Sequence, residues 1–131
     1  MAIRVKYELN LQISENSHGQ KELGKTAPWS GTNDQQDNGG TWRQRVVAGE
    51  TDTLVDLNGL VTGHLIAIKS DQEISIKKNS NVGEAWTISP LGIGATDGIF
   101  VITTDGVTSL YVTNAGSLDA EVTFSVAGVS I

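Results

Sequence analysis

Two histidines, His18 and His64, are the only imidazoles in the chain, and no cysteine accompanies them. Triad catalysis needs a nucleophile, a base and an orienting acid brought to one place. His18 stands in a polar stretch and His64 precedes the apolar run Leu65-Ile66-Ala67-Ile68, so neither is tied by spacing to a serine and an acid. Each reads as a surface or strand-edge residue. Patterns of the G-x-S-x-G, H-E-x-x-H and phosphate-loop kinds are absent. Zero cysteines exclude disulfides, thiolate zinc sites and cysteine nucleophiles.

The run Thr32-Asn33-Asp34-Gln35-Gln36-Asp37-Asn38-Gly39-Gly40 is rich in oxygen donors and resembles a calcium loop. In the EF-hand register Asp34, Gln36, Asn38 and Gly39 fit in part. The twelfth position falls on Arg45, a cation where the loop needs a bidentate glutamate. The run therefore reads as a solvated loop, with Glu50, Asp52 and Asp56 as further oxygens nearby. Glycoside hydrolysis calls for two acids about 5–9.5 Å apart. Glu50, Asp52, Glu73 and Glu84 offer candidates, but no spacing singles out a pair. The expectation is a protein that is not an enzyme and uses no metal or cofactor.

Aromatic and basic residues point instead to binding. Trp29, flanked by Pro28 and Gly31 and preceded by Leu23, lies among polar residues with no periodic apolar neighbours. It suits an anchor on a partner, because buried aromatics dominate interface energies. Trp42 opens a strand and shares a face with Gln44 and Val46; Trp86, beside Ile88, reads as core. Arg43 and Arg45 alternate on the face opposite Trp42. They either pair with acids of a neighbouring subunit or charge a solvent face that discourages edge pairing. The candidate partner-contact residues are Leu23, Pro28, Trp29, Trp42, Arg43 and Arg45. A sugar-binding site would also use tryptophan faces, and would need Trp42 and either Trp29 or Trp86 side by side on one concave surface.

The elements that carry these residues read as strands. Of 131 residues, 38% are hydrophobic and 15 are glycine, a composition suited to one globular domain. From residue 2 to 13 apolar and polar residues alternate, with Ile3, Val5, Tyr7, Leu9, Leu11 and Ile13 on one face. Period two is the mark of a half-buried strand. Ser14 to Gly40 has no periodicity and is expected to be an extended loop or arm. Strand character resumes at Thr41–Val47 and Thr53–Leu57. It recurs at Leu65–Lys69, Ile74–Lys78, Ala85–Ile88, Ile99–Thr103, Leu110–Thr113 and Val122–Ala127. Asn58-Gly59, Asp97-Gly98 and Asp105-Gly106 supply residues that tolerate positive φ in tight turns. About eight strands with regular turn signals predict an antiparallel β-sandwich of jelly-roll type, its last three strands forming a local meander.

The run Ser109-Leu110-Tyr111-Val112-Thr113-Asn114-Ala115-Gly116-Ser117-Leu118-Asp119-Ala120-Glu121-Val122-Thr123-Phe124-Ser125-Val126-Ala127-Gly128 resembles the ending of small virion structural proteins of tailed bacteriophages. There a strand of the "LYVTN" kind turns through Gly and Ser and returns as a final strand closing with Ala-Gly. The likeness spans residues 97–128. It implies a capsid decoration or cement protein bound to the major capsid protein or another virion protein on the outside of the head. Such proteins commonly form trimers at capsid-subunit junctions with an arm across neighbours, and the family has no catalytic residues to carry over. A tail, baseplate or fibre component and a carbohydrate-binding module remain the alternatives.

A net charge of −6 argues against a nucleic-acid partner, since phosphates would be repelled on average. No segment approaches the roughly 20 apolar residues of a membrane span, and none has the apolar stretch of a secretory signal. Synthesis in the host cytoplasm and residence on the capsid surface are the expectation.

Overall fold

Alternation of side chains builds this molecule, and it is clearest in the last strand. Between Ala120 and Val129, Val122, Phe124 and Val126 are buried while Thr123 and Ser125 between them are half-exposed. Successive strand residues face opposite sides, so one side of this segment lines a core and the other forms a surface. The computed structural model describes residues 3–9, 29–36, 38–91 and 97–130.

Among the described residues the regular structure is all β, with no helix. The strands are β1 (Ile3–Leu9), β2 (Trp29–Gln36), β3 (Asn38–Val46), β4 (Thr53–Leu54) and β5 (Thr62–Ser70). They continue as β6 (Ile74–Lys78), β7 (Trp86–Ile88), β8 (Gly98–Val107), β9 (Leu110–Thr113) and β10 (Ala120–Val129). β1 and β2 pair with each other; the others form two four-stranded sheets, β3-β10-β5-β8 and β4-β9-β6-β7, with all pairing antiparallel. Pairing is nested: β3 meets β10, β4 meets β9, β5 meets β8 and β6 meets β7. Both four-stranded sheets feed one core. Ile66, Ile68, Val122, Phe124 and Val126 come from the first; Ile74, Ile76, Ile88, Leu110 and Val112 come from the second.

Several connections differ from the sequence expectation. β8, β9 and β10 are not a meander, because β9 lies in the second sheet while β8 and β10 lie in the first, separated by β5. Asp105-Gly106 does not turn the chain. It falls inside β8, where the five residues from Thr103 to Val107 are matched against the three from Leu65 to Gly63 of β5. The pair therefore makes an irregularity in the ladder, and the crossing comes at Thr108-Ser109. Gly98 opens β8 without a positive φ; a Cβ there would meet the Ser89 backbone at 2.8 Å, so close approach is what requires glycine. Asn58-Gly59 does turn the chain with positive φ at both residues, 59° and 85°.

The expected arm is strand from Trp29 onward. Residues 29–36 pair with β1, Trp29 opposite Leu9 and Gln36 opposite Ile3, and residues 38–40 begin β3. Polar composition concealed these strands: β1 supplies the regular alternation, and its ladder needs only the backbone of β2. The same finding changes the calcium reading, because Thr32–Gln36 is extended in a ladder and cannot wrap an ion as an EF-hand loop does. The rest of the expected arm, residues 14–28, with Leu23 and Pro28, lies outside the described residues.

Gly128 marks the tightest approach in the first sheet. A Cβ there would strike the Thr62 carbonyl oxygen and the Gly63 Cα, both backbone of β5, where the β10 register shifts. Backbone cannot rotate aside as a side chain can. Gly128→Ala is expected to lower stability by about 3 kcal/mol, the upper end of the usual cost of overpacking. Urea unfolding followed by tryptophan fluorescence measures it, and an unchanged midpoint would contradict this packing.

Candidate functional site

Along β3, Trp42, Gln44 and Val46 turn inward and Thr41, Arg43 and Arg45 turn outward, as the sequence alternation predicts. Trp42 is half-buried and stacks on the fully buried Phe124 of β10, with ring centroids 5.6 Å apart and planes 20° from parallel. It thus closes the open side of the core, and most of one ring face is engaged within the chain.

Arg45 lies outward, and the acid it pairs with belongs to its own chain. Its guanidinium reaches Asp119 at 2.6 Å. The other oxygen of Asp119 accepts the Ala48 N–H at 2.9 Å. The carboxylate thereby joins the turn after β3 to the loop before β10. Arg43 is exposed and has no ion-pair partner among the described residues, so it alone of the two is available to a neighbour. Trp29 lies in β2 opposite Leu9; its ring is outside the described side chains.

Trp86 is not the core residue its neighbour Ile88 suggests. It is half-buried on β7, tilted against Phe100 of β8 at 5.0 Å, with the Lys78 ammonium 5.1 Å from its ring centre. Trp42, on the edge strand β3, packs over Phe124 of the central β10, whereas Trp86, in the second sheet, packs against Phe100 of β8 at the opposite edge of the first sheet. They do not make the shared platform a sugar ring would need.

The acids are dispersed into structural contacts. Asp52 pairs with Lys77 at 3.0 Å and exchanges hydrogen bonds with Thr113. Glu50 accepts from the Thr53 hydroxyl at 2.8 Å. Glu73 and Glu84 are exposed. Among the described residues no three His, Asp or Glu side chains gather as metal ligands. His64 is half-buried on β5, its Nδ1 2.8 Å from Oε1 of the buried Gln36, and so ties the end of β2 to the first sheet.

What the fold does gather is a surface. Register places Arg43, Thr123, Lys69 and Ile99 in one row across β3, β10, β5 and β8. The next row is Thr41, Ser125, Ala67 and Val101, and the next is Gly39, Ala127, Leu65 and Thr103. The outer side of the first sheet is therefore a field of short hydroxyl, methyl and aliphatic groups, with Ala127 itself buried and charge confined to one end. There Lys69 faces Asp97 at 3.7 Å. Thr41 and Ser125 hydrogen-bond at 2.8 Å, and a shallow depression of about 190 Å³ is lined by Ala67, Thr123, Ser125 and Ile99. Sequence reasoning missed this field. Its signal was present in the outward positions of each strand, but strand order is needed to set the rows side by side.

No protein-family model, curated protein or solved structure matches the chain.

The Asp119 contact has a pH signature. The Ala48 N–H, the largest influence, lowers the carboxyl below the ordinary aspartate value; desolvation comes next and opposes it, and the hydrogen bond and charge of Arg45 add to the lowering. A lowered folded-state pKa means that the contact stabilises the fold above the unfolded aspartate value, about 3.9. That contribution is lost as pH falls through the folded value. Hydrogen exchange at Ala48, corrected for the intrinsic rate, is expected to be protected at neutral pH and to lose protection in acid. Asp119→Ala is expected to show the low protection throughout; equal profiles for the two proteins would refute the linkage.

Proposed function

We propose that this chain is a virion structural protein of the capsid decoration or cement type, a jelly-roll β-sandwich that binds the outside of a tailed-phage head and stabilises it by contact. The nested pairing of β3 to β10 supports the jelly-roll reading: a long antiparallel ribbon folded over on itself gives two four-stranded sheets in this order. Such a fold hosts capsid proteins and lectins alike, so fold alone assigns no role.

The observation that carries the proposal is the outer field of short side chains on the first sheet. A rigid sheet presenting Thr41, Ala67, Thr123 and Ser125 in register, bordered by exposed Ile99 and Val101, offers area with little side-chain entropy to lose on contact. Binding by such a face is burial of surface, and a stable contact needs on the order of 1,000 Å² or more in total. Residues 97–128 supply the likeness to phage virion proteins, and the partner in this reading is the major capsid protein or another virion protein. Arg43 supplies a positive rim for an acidic group of the partner. Copies of the chain associate on the head, with the trimer as the state the likeness implies.

The test uses heads of the phage that encodes the chain, prepared without this protein. Added protein is expected to co-sediment with the heads and raise their resistance to heat or chelator. Ala67→Lys, at a half-exposed site on the field, is expected to weaken binding at least tenfold with an unchanged circular dichroism spectrum. Immunogold label on intact particles should decorate the head. Label at the tail would reject the cement role, and full binding by the variant would reject the field as the contact.

A further inference from the structure

The second sheet carries a depression of about 440 Å³, where the chain leaves β4 and where it enters β9. Its floor is apolar and belongs to the core, with Val55, Leu57 and Leu60 all buried. Leu54, 60% exposed, and Tyr111, opposite it in the ladder and half-buried, supply apolar and aromatic wall. Leu110 and Val112 turn into the core, so alternation sets Tyr111 on the outer side of the sheet. Asp56, Thr108 and Ser109 make a polar rim. One carboxylate oxygen of Asp56 accepts the Asn58 N–H at 2.9 Å. The other oxygen, like the hydroxyls of Ser109 and Tyr111, has no partner among the described residues. The walls are fixed by backbone: the Val55 N–H donates to the Leu110 carbonyl at 2.9 Å, and the Thr108 N–H to Oδ1 of Asn79 at 2.8 Å. A pre-formed site loses little freedom when it is filled.

We propose that this depression binds a neutral sugar residue. A pyranose ring has an apolar C–H face and a rim of hydroxyls, so it needs apolar or aromatic surface beside donors and acceptors. Tyr111 and Leu54 offer the surface, and one ring serves one sugar residue. The Asp56 carboxylate accepts from sugar hydroxyls, while the Ser109 and Tyr111 hydroxyls donate to them. Charge decides the class of ligand. Asp56 is the one ionised group that lines the depression, with no Lys, Arg or His, and the whole chain carries −6, so phosphates and acidic sugars are repelled. Lys77, beside Tyr111 in register, has its ammonium 3.0 Å from Asp52 and 3.1 Å from the Asn81 carbonyl. A wholly apolar ligand would desolvate Asp56 with nothing in exchange. A second depression of about 390 Å³, beside Glu73 and the loop after β9, has no aromatic wall and serves as the comparison. The inference concerns the second sheet and does not depend on what the outer field of the first sheet binds.

The test is a nuclear magnetic resonance titration of the isotope-labelled full chain with glucose, galactose, mannose and N-acetylglucosamine in turn. A shallow site with one ring is expected to bind at about millimolar Kd. At least one of the four sugars is expected to shift the amide signals of residues 54–60 and 108–111 saturably, leaving those of residues 72–75 and 115–118 unmoved. Glucose phosphate is expected to bind less well than glucose, and butylamine, a cation without hydroxyls, is expected not to reproduce the pattern. Asp56→Asn keeps an acceptor for the Asn58 N–H, so the fold is retained, as the rest of the spectrum checks. Loss of the carboxylate is expected to weaken sugar binding about tenfold, as for a hydrogen bond to a charged group. Glu73→Gln, at the other depression, is expected to bind as the unaltered chain does. No saturable shift with any of the four sugars, shifts centred elsewhere, or tighter binding of the phosphate or the amine would each overturn the site. So would full binding by Asp56→Asn or an equal loss in Glu73→Gln. Head binding is a separate readout, so failure of one reading is distinguishable from failure of the other.

Discussion

The structure depends on one placement, the last strand of the chain in the middle of its first sheet. β10 pairs with β3 on one side and β5 on the other. Its inward residues are the centre of the core, with Phe124 fully buried and Trp42 stacked over it. A strand flanked on both sides must have matched register twice, and a one-residue slip would turn Val122, Phe124 and Val126 to the solvent. The close approach at Gly128 narrows the choice further, since β5 backbone occupies the space a side chain would need. Because β10 follows its partners β3 and β5 at a distance along the chain, these contacts are long-range and the sheet closes only once β10 is in place.

Chain crossings between the sheets are held by polar groups that are fully used. Asn114, completely buried, donates its amide to the Val46 and Leu118 carbonyls, and its side-chain oxygen accepts the Gly116 N–H. Its backbone bonds Gly49 and Glu50 in the turn after β3. Asp52, at a positive φ of 48°, joins Thr113 and Lys77. Among the described residues no buried side-chain nitrogen or oxygen lacks a partner. Buried polar groups are costly when unpaired and specify a single arrangement when satisfied. These loops therefore fix how the two sheets face each other, and acids that resemble ligands in the sequence serve as ties.

Rigidity of this kind suits the contact role proposed for the first sheet. The outer field of the first sheet is backed by the core, so its short side chains lie in fixed rows and lose little freedom on contact. Its borders differ in character. One carries Arg43 and the Arg45–Asp119 pair, and the other presents the uncharged stretch of β8.

Much of the strand content was legible in the order of residues. Ile74–Lys78 and Leu110–Thr113 are strands at their expected limits, and inward Trp42 with outward Arg43 and Arg45 follows from alternation. These are local facts, set by side-chain period and turn chemistry within a few residues. Polar β2 was hidden because its ladder partner lies elsewhere in the chain. Asp105-Gly106 looked like a turn because a bulge and a hairpin ask for similar residues, and the difference lies in β5. The pairing of Arg45 with Asp119, the use of Asp52 by Lys77, and the rows that join Thr41 to Val101 all require strand order. Period and turn chemistry act between neighbours, whereas strand order is decided by which buried faces close one core, and only the folded chain brings those faces together.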